Sequence, residues 1–360
     1  MDSSKISVPM NLDNLLMSRN MDLLPLGETC NSNLTKGSTD SMFYQDIFQV
    51  VWARLWDALL GSKPHPVIRD YHIIVTIFYI FFTITLCRLL RLLNKRFAPK
   101  PVQELIGDIL ATFQCLSCGL ENGMVRKAYG MGAYCVQTFF LGLWSQWTLE
   151  GSSGNPVRSF IKLVEGKRKL LPSLLHMTCQ MIAGIVAYHY ARTVWYFELS
   201  SEHIARRLRD AECYSDLNVP VMMGLFIELA ATVIDVLVSK TTTKKFMFER
   251  YEQFAKGVFS ICMTICGLNL TGMYLNPANA TIQTYGCRGN SRAEYIVVYW
   301  CGPLIGAAIG IFVHQKLRQA YLALKRSFQA SPDLTRCGAT FEENRNVTDS
   351  ANDVETKKDL

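Results

Sequence analysis

Long apolar stretches alternate with short basic segments along most of this chain, and both ends are polar. A bilayer core of about 30 Å needs roughly 20 apolar residues for one helical crossing. Seven stretches reach or approach that length: 71–90, 103–120, 128–149, 172–191, 219–238, 257–275 and 295–313. The stretch 103–120 is the weakest, because it carries Glu104 and Asp108. The pattern predicts an all-α membrane protein with seven spans.

The polar ends differ in their pattern. Residues 43–60 place apolar side chains at helical spacing, which predicts an amphipathic helix within an N-terminal extension of residues 1–70. That helix either lies on the membrane surface or packs on the bundle. The tail 328–360 is polar throughout and is predicted to be disordered. No signal peptide is predicted, because the first long apolar run starts near Tyr71.

Composition supports a membrane protein over a soluble one. Apolar residues make up 49% of the chain and charged residues 19%, against about 25% charged in an average soluble protein. The net charge of +7 comes from Lys and Arg placed between apolar runs, which favours basic cytoplasmic loops over nucleic-acid binding. A soluble enzyme and a DNA-binding domain are excluded as leading interpretations. We expect no catalytic residue, no cofactor and no metal, and the lipid bilayer as a partner.

The distribution of cations predicts the orientation of the chain. Basic residues concentrate in alternate loops, which the positive-inside rule places in the cytoplasm. The loops that hold them are 88–100, 162–169, 240–250 and 316–326. The C-terminus is then cytoplasmic. If the stretch 71–90 spans the membrane, the N-terminus is lumenal or extracellular.

Most of the twelve cysteines lie in apolar stretches, where a cysteine usually packs as a small apolar residue. Cys115 and Cys118 form a CxxC pair, but no second pair lies at a zinc-ligand spacing. Only Cys30, Cys213 and Cys337 lie clearly in polar segments.

Two Asn-Pro boxes mark an internal repeat. The boxes are Asn155-Pro156-Val157 and Asn276-Pro277-Ala278, and proline suits the first turn of a helix. Asn155 follows the intramembrane acid Asp108 by 47 residues, and Asn276 follows Glu228 by 48. Each acid stands four residues before a threonine. Equal internal spacing predicts two halves, 103–197 and 219–315, of three spans each and therefore of opposite orientation in the membrane.

These features resemble the aquaporin family over residues 103–315. The paired boxes carry the resemblance, together with the two acids and the segment 299–306 in the last span, which reads YWCGPLIG. The valine of the first box, the segment 108–114 and Cys287, nine residues after Ala278, are similar to the unorthodox branch of super-aquaporins, aquaporins eleven and twelve. The additional N-terminal span, 71–90, also fits that branch.

The resemblance implies a fold of six transmembrane helices and two re-entrant half-helices, to which the span 71–90 is added. It implies a passive channel for water and small neutral solutes, assembled as a homotetramer. Asn155 and Asn276 would then offer amide donors to a passing oxygen. Asp108 and Glu228 would accept hydrogen bonds from the backbone that holds each half-helix. A simple interhelical hydrogen bond is the alternative for the two acids.

The selectivity filter departs from the family pattern. Asn279 stands where ordinary aquaporins carry an arginine after the second box. The same register places Thr264, Met273 and Cys135 at the other filter positions, with Tyr134 as an alternative to Cys135. We expect a pore tolerant of glycerol or hydrogen peroxide.

Two further residues have open interpretations. Arg158, after the first box, forms either a cationic constriction at the cytoplasmic mouth or a side chain that reaches lipid headgroups. Cys287 has a structural or gating role, or its thiol is a redox sensor.

Lys357 and Lys358 resemble a cytoplasmic dilysine signal, which predicts residence in the endoplasmic reticulum and recognition by coat proteins. Another intracellular membrane or the plasma membrane stays open. Two alternatives to a channel also remain: a membrane scaffold with a closed pore, and a proton-coupled transporter that would use Asp108, Glu228 and Asp235.

Overall fold

The computed structural model describes residues 72–209, 213–242 and 249–330. Almost all of the described chain is helical. The helices, numbered here in chain order, are α1 His72–Phe97, α2 Lys100–Thr148, α3 Pro156–Val164, α4 Leu170–Tyr196, α5 Ser201–Arg209, α6 Val221–Thr242, α7 Glu249–Gly267, α8 Pro277–Thr284, α9 Arg292–Ile296 and α10 Gly302–Ala330. A π-helical turn, Val297–Cys301, joins α9 to α10.

Helix α2 is two spans in one continuous segment. Gly130 interrupts it with a φ of 82° and a ψ of −175°, a conformation that glycine adopts without steric cost. We call residues 100–129 α2a and residues 131–148 α2b. The sequence predicted these two spans as separate stretches with a loop between them, whereas a single glycine makes the turn.

The two halves of the chain pack as an inverted repeat. Helix α2 packs against α4 in the first half, and α6 packs against α10 in the second. The short helices link the two halves, since α3 packs on α4 of its own half and on α10 of the other, and α8 packs on α4 of the other half. The α6–α10 crossing is so close that a Cβ added at Gly306 would lie 2.5 Å from the carbonyl oxygen of Leu229. Small residues permit such close approach between membrane helices.

Helix α1 lies against the first half as an additional helix. Its inner face buries Tyr79, Ile80 and Ile84 against Cys118 of α2a. Its opposite face exposes a row of large apolar side chains, which suits contact with lipid: Ile77, Phe78, Phe81 and Phe82. Within the described ranges, four helices or helical segments are each long and apolar enough to cross a membrane: His72–Phe97, Leu170–Tyr196, Val221–Thr241 and Arg292–Ser327.

Some predicted boundaries were wrong. The span predicted to end at residue 275 ends at Gly267, because the next residues leave the helix and carry the chain to the second box with positive φ at Gly272, Met273 and Leu275. Residues 328–330, assigned to a disordered tail, still belong to α10. The predicted helix 43–60 and residues 331–360 lie outside the described residues.

Candidate functional site

Both Asn-Pro boxes begin short helices. Asn155 is the N-cap of α3, and its side-chain oxygen accepts from the Val157 N–H at 2.9 Å. Asn276 caps α8 in the same way and accepts from Ala278 N–H at 3.0 Å. Asparagine is among the best N-caps, and the following proline has no N–H to leave unpaired. The box residues after each asparagine, Pro156 and Val157 in one half and Pro277 and Ala278 in the other, are buried.

The two boxes meet through reciprocal hydrogen bonds. The Asn155 amide donates to the carbonyl of Leu275 at 2.9 Å, and the Asn276 amide donates to the carbonyl of Gly154 at 3.1 Å. The N-terminal ends of α3 and α8 therefore abut. Each amide carries two N–H donors, and the bonds to the described residues use one of them.

The two intramembrane acids hold the segments that precede the boxes. Buried Glu228 accepts from Thr271 Oγ1 at 2.7 Å, from the Tyr274 N–H at 3.1 Å and from the Leu275 N–H at 2.8 Å. Asp108, also buried, accepts from the Ser153 N–H at 2.9 Å. The second Asp108 oxygen lies 2.8 Å from His176 Nδ1. Glu228 thus accepts backbone N–H donors with both of its oxygens, whereas Asp108 accepts one with a single oxygen.

A cavity of about 510 Å³ runs past the meeting point of the boxes. Its wall combines residues of α2a, α2b and α7 with the segments around both boxes. Five of the predicted site residues line it: Asn155, Arg158, Thr264, Met273 and Asn279. Among the described residues, Asn276 and Cys135 do not line this cavity, and their places in the pore stay predictions.

Tyr134, the alternative to Cys135 at the first-half filter position, lines the cavity. Tyr134, Thr138 and Leu141 line the cavity from one face of α2b. The Thr138 hydroxyl donates to the Tyr134 carbonyl one turn earlier, at 2.7 Å, and accepts from the Asn122 amide at 2.7 Å. Cys135, the next residue along α2b, is not among the described residues that line the cavity.

Arg158 forms an ion pair within the cavity. Its guanidinium lies 2.7 Å from Asp235 and 3.2 Å from the Ser239 hydroxyl, and both charged side chains are about a third exposed. Both Arg158 and Asp235 line the cavity. The alternative in which Arg158 reaches lipid headgroups does not fit this geometry.

The end of α3 remote from the boxes is tied to the neighbouring elements by Glu165. This carboxylate accepts from Lys167 at 2.8 Å and from Lys240 of α6. Partial burial raises the pKa of Glu165, while the hydrogen bonds from the two lysines lower it, and the pKa ends below its ordinary value. The pair with Lys240 fixes α3 against the second half of the chain.

Cys287 is paired with Cys213, with 4.9 Å between their Cα atoms. The backbone beside the disulfide continues the link, since Ser215 N–H donates to the Arg288 carbonyl at 2.7 Å and Arg288 N–H to the Cys213 carbonyl at 2.9 Å. Cys287 therefore has no free thiol for a redox sensor. The sequence identified each cysteine but not the pairing, because 74 residues separate them.

Sequence reasoning also missed a buried trio, His72, Glu121 and His203, which lies outside the boxes and filter. Its members come from three helices that are far apart in the sequence. No spacing of these residues along the sequence marks the trio.

The sequence of this chain matches a known protein family. The signature of the family described as major intrinsic protein covers residues 72–314. Aquaporin-11 of Milnesium tardigradum is 25% identical over 248 residues, which cover 69% of this chain and 89% of the relative. Aquaporin-12 of Mus musculus is 26% identical, covering 67% and 85%. These similarities confirm the predicted resemblance to the unorthodox branch.

A solved structure agrees in fold. The aquaglyceroporin from Plasmodium falciparum superposes with a TM-score of 0.50 at 19% identity, covering 62% of this chain and 99% of that one. The likeness supports the architecture alone. It confirms the predicted fold class of an inverted repeat with two half-helices, to which α1 is added.

Proposed function

The chain belongs to the major intrinsic protein family of membrane channels, and from that premise we propose that it conducts water, glycerol and hydrogen peroxide passively along the cavity beside Asn155. The observation that carries this proposal is one cavity lined from both halves of the chain. Its wall includes Asn155 and Arg158 at the first box, Asn279 and Gln283 after the second, and Asp235 of α6.

The chemistry of the wall favours neutral, hydrogen-bonding solutes. The abutting N-termini of α3 and α8 direct the positive ends of two helix dipoles at the meeting point, which disfavours cations there. The second amide N–H of Asn155 can donate to a passing oxygen. Water, glycerol and peroxide all present such an oxygen.

The solute range follows from Asn279. This neutral side chain lines the cavity where related channels carry a fixed cation, and Thr264 and Met273 line the same region. A shorter, uncharged side chain leaves a wider constriction. We therefore propose that glycerol and peroxide pass as well as water.

Two glycines of α2b supply a matched test. Gly142 lines the cavity, Gly132 does not, and a Cβ at either would meet no atom within 4 Å. Purified protein in liposomes is assayed for water and glycerol flux by light scattering and for peroxide by a trapped dye, with an ionophore to remove any proton gradient. Gly142→Phe should abolish flux, and Gly132→Phe should leave it unchanged.

The alternatives give different outcomes in the same assay. A scaffold with a closed pore gives no flux above empty liposomes in the unmodified protein. A proton-coupled transporter gives flux that disappears with the ionophore. Equal flux through Gly142→Phe and Gly132→Phe would show that solutes do not follow this cavity.

We also propose that the channel is a homotetramer retained in the endoplasmic reticulum. Tetramer assembly rests on the family resemblance. Retention rests on Lys357 and Lys358, which coat proteins would recognise at a cytoplasmic C-terminus. Replacing both lysines by serine should move the protein to the cell surface, as judged by surface biotinylation, whereas unchanged residence would contradict the signal.

A further inference from the structure

Three buried side chains converge where α1 and α5 meet α2a. His72 begins α1, Glu121 lies on α2a, and His203 lies on α5. Each offers a ligand atom, and these atoms lie within 4.8 Å of one another. All three side chains are at most 1% exposed, and none of these described residues lines the pore cavity.

The ligand atoms cluster around one carboxylate oxygen. His203 Nε2 lies 3.0 Å from Glu121 Oε1. Thr76 Oγ1 donates to the same oxygen at 3.1 Å and lies 3.4 Å from His72 Nε2. Nε2 of His203 therefore faces Glu121 directly, and Nε2 of His72 faces Thr76, the residue that donates to the same Glu121 oxygen.

The surrounding groups orient these ligands as the outer sphere of a metal site does. Trp195 Nε1–H donates to Glu121 Oε2 at 2.9 Å, which fixes the carboxylate and leaves Oε1 toward the histidines. Ser200 Oγ lies 3.0 Å from His72 Nδ1, the ring nitrogen remote from Glu121. Ligating histidines usually use their second nitrogen in this way.

A buried carboxylate between two imidazoles needs a compensating positive charge, because charge in a dry interior is costly unless it is paired. A divalent cation coordinated through Nε2 of each histidine would supply that charge, with both imidazoles neutral and the remaining proton of each on Nδ1. For His72, that Nδ1–H faces Ser200 Oγ.

We propose that His72, Glu121 and His203 bind a divalent transition-metal ion of the Zn²⁺ type. Two histidines and a carboxylate are a common zinc ligand set, with bonds of about 2.0–2.2 Å. Ligands on a tetrahedral ion lie about 3.4 Å apart by that geometry, so small side-chain rotations would close the set. The ion would fasten the additional helix α1 and the loop helix α5 to the channel.

A separate cavity of about 390 Å³ lies next to the trio. It is lined by Trp195, whose indole donates to Glu121, and by Glu202 and Arg206, which lie near His203 on α5. None of the three ligands lines this cavity, so an ion would have to pass these lining side chains to reach them.

The test is calorimetric titration of Zn²⁺ into the purified, chelator-treated full-length protein in detergent. Unmodified protein should bind one ion per chain with saturation. Glu121→Gln keeps the side-chain shape and removes the anionic ligand, and it should abolish saturable binding. His189→Gln removes an exposed histidine of α4 and should bind as the unmodified protein does.

A milder variant guards against misfolding as an explanation. Trp195→Phe retains all three ligands and removes the donor to Glu121, so Zn²⁺ affinity should fall roughly 10- to 100-fold while water flux in liposomes persists. Absence of saturable Zn²⁺ binding by the unmodified protein would overturn the site. Equal affinity in Glu121→Gln and the unmodified protein would do so as well.

Discussion

At the scale of single residues, Asn279 is the side chain expected to set the solute range. Asn279→Arg would restore the long cation that related channels carry and narrow the cavity at that point. An added barrier of about 1.4 kcal/mol lowers permeability roughly tenfold, and we expect at least that loss for glycerol with a smaller loss for water. Stopped-flow light scattering on liposomes measures both rates.

The control for this substitution is Asn279→Gln, which lengthens the side chain without adding charge. It should lower glycerol flux less than arginine does. If Asn279→Arg leaves glycerol and peroxide flux as they are, this residue does not control the constriction.

The Arg158–Asp235 pair is expected to keep the other end of the cavity electrically neutral. Arg158→Gln would leave the Asp235 carboxylate facing the cavity, so potassium leak should rise while water flux is retained. The pair is about a third exposed and contributes only about 0–1 kcal/mol to stability, so the variant should fold. Potassium efflux from loaded liposomes measures the leak.

The double variant Arg158→Gln with Asp235→Asn separates charge from shape. It removes both charges, and potassium leak should return to the level of the unmodified protein. A leak that stays high in the double variant would mean that the cavity widened, and the electrostatic explanation would be wrong.

At the scale of elements, the two acids should respond unequally to amide substitution. Both oxygens of Glu228 accept backbone N–H donors, so no orientation of a glutamine satisfies Tyr274 and Leu275 together. Asp108 accepts one backbone N–H and faces His176 with its other oxygen, an arrangement that an asparagine can reproduce. The asparagine would lose only a 3.9 Å ion pair with Arg168, which keeps its pair with Glu104. An unsatisfied buried donor costs about 1–3 kcal/mol. Glu228→Gln should lower the unfolding temperature and the flux, and Asp108→Asn should change both little.

One result for these two variants would contradict the explanation by backbone donors. Equal losses in thermal unfolding for Glu228→Gln and Asp108→Asn would mean that negative charge, and not the pattern of donors, stabilises the two segments. Both variants alter a buried carboxyl, so the comparison is matched for burial.

The loop link through Cys213 and Cys287 is the second element-scale feature. Removing a native disulfide commonly costs about 2–5 kcal/mol, so Cys213→Ser should unfold at lower temperature than the unmodified protein. A reductant should lower the unfolding temperature of the unmodified protein and leave that of the variant as it is. Cys262→Ser changes an exposed free cysteine and is the control. An unmodified protein insensitive to reductant would contradict the link.

Local rules explain which elements the sequence could predict. Asn155 and Asn276 cap their helices because asparagine followed by proline is a local signal, and the apolar runs locate the spans within a few residues. The end of α7 was missed because residues 268–275 are largely apolar, yet the backbone N–H groups of Tyr274 and Leu275 bind Glu228, a contact 46 residues away for Tyr274, and do not continue the helix. Tyr134 and Cys135 are adjacent on α2b, and matching the sequence to the family's filter positions does not distinguish between adjacent residues.

Contacts between distant segments explain the rest. Neither the Cys213–Cys287 pairing nor the His72–Glu121–His203 trio has a spacing that marks it in the sequence. Each depends on how α1, α5 and the later loops pack together. The family resemblance supplied the common architecture and could not supply these particulars.

At the scale of the whole molecule, two independent features predict the same orientation in the membrane. The cations in alternate loops predict a cytoplasmic C-terminus. The Cys213–Cys287 disulfide lies in the loops assigned to the opposite side, and disulfides persist in oxidising compartments such as the reticular lumen. Charge and redox chemistry therefore agree on one orientation.

That orientation, with seven spans, puts the two ends of the chain on opposite sides, which the sequons at Asn33 and Asn346 can test. Glycosylation occurs only in the lumen, so Asn33→Gln should remove a glycosidase-sensitive mass shift of the expressed protein that Asn346→Gln leaves unchanged. Asn269 and Asn279 also lie in Asn-X-Thr triplets, and any shift from them would be the same in both variants. If α1 did not span, six crossings would place both ends in the cytoplasm and neither sequon would be modified. A mass shift abolished by Asn346→Gln would instead mean that the orientation is the opposite one. Arg158 and the two C-terminal lysines would then lie on the lumenal side.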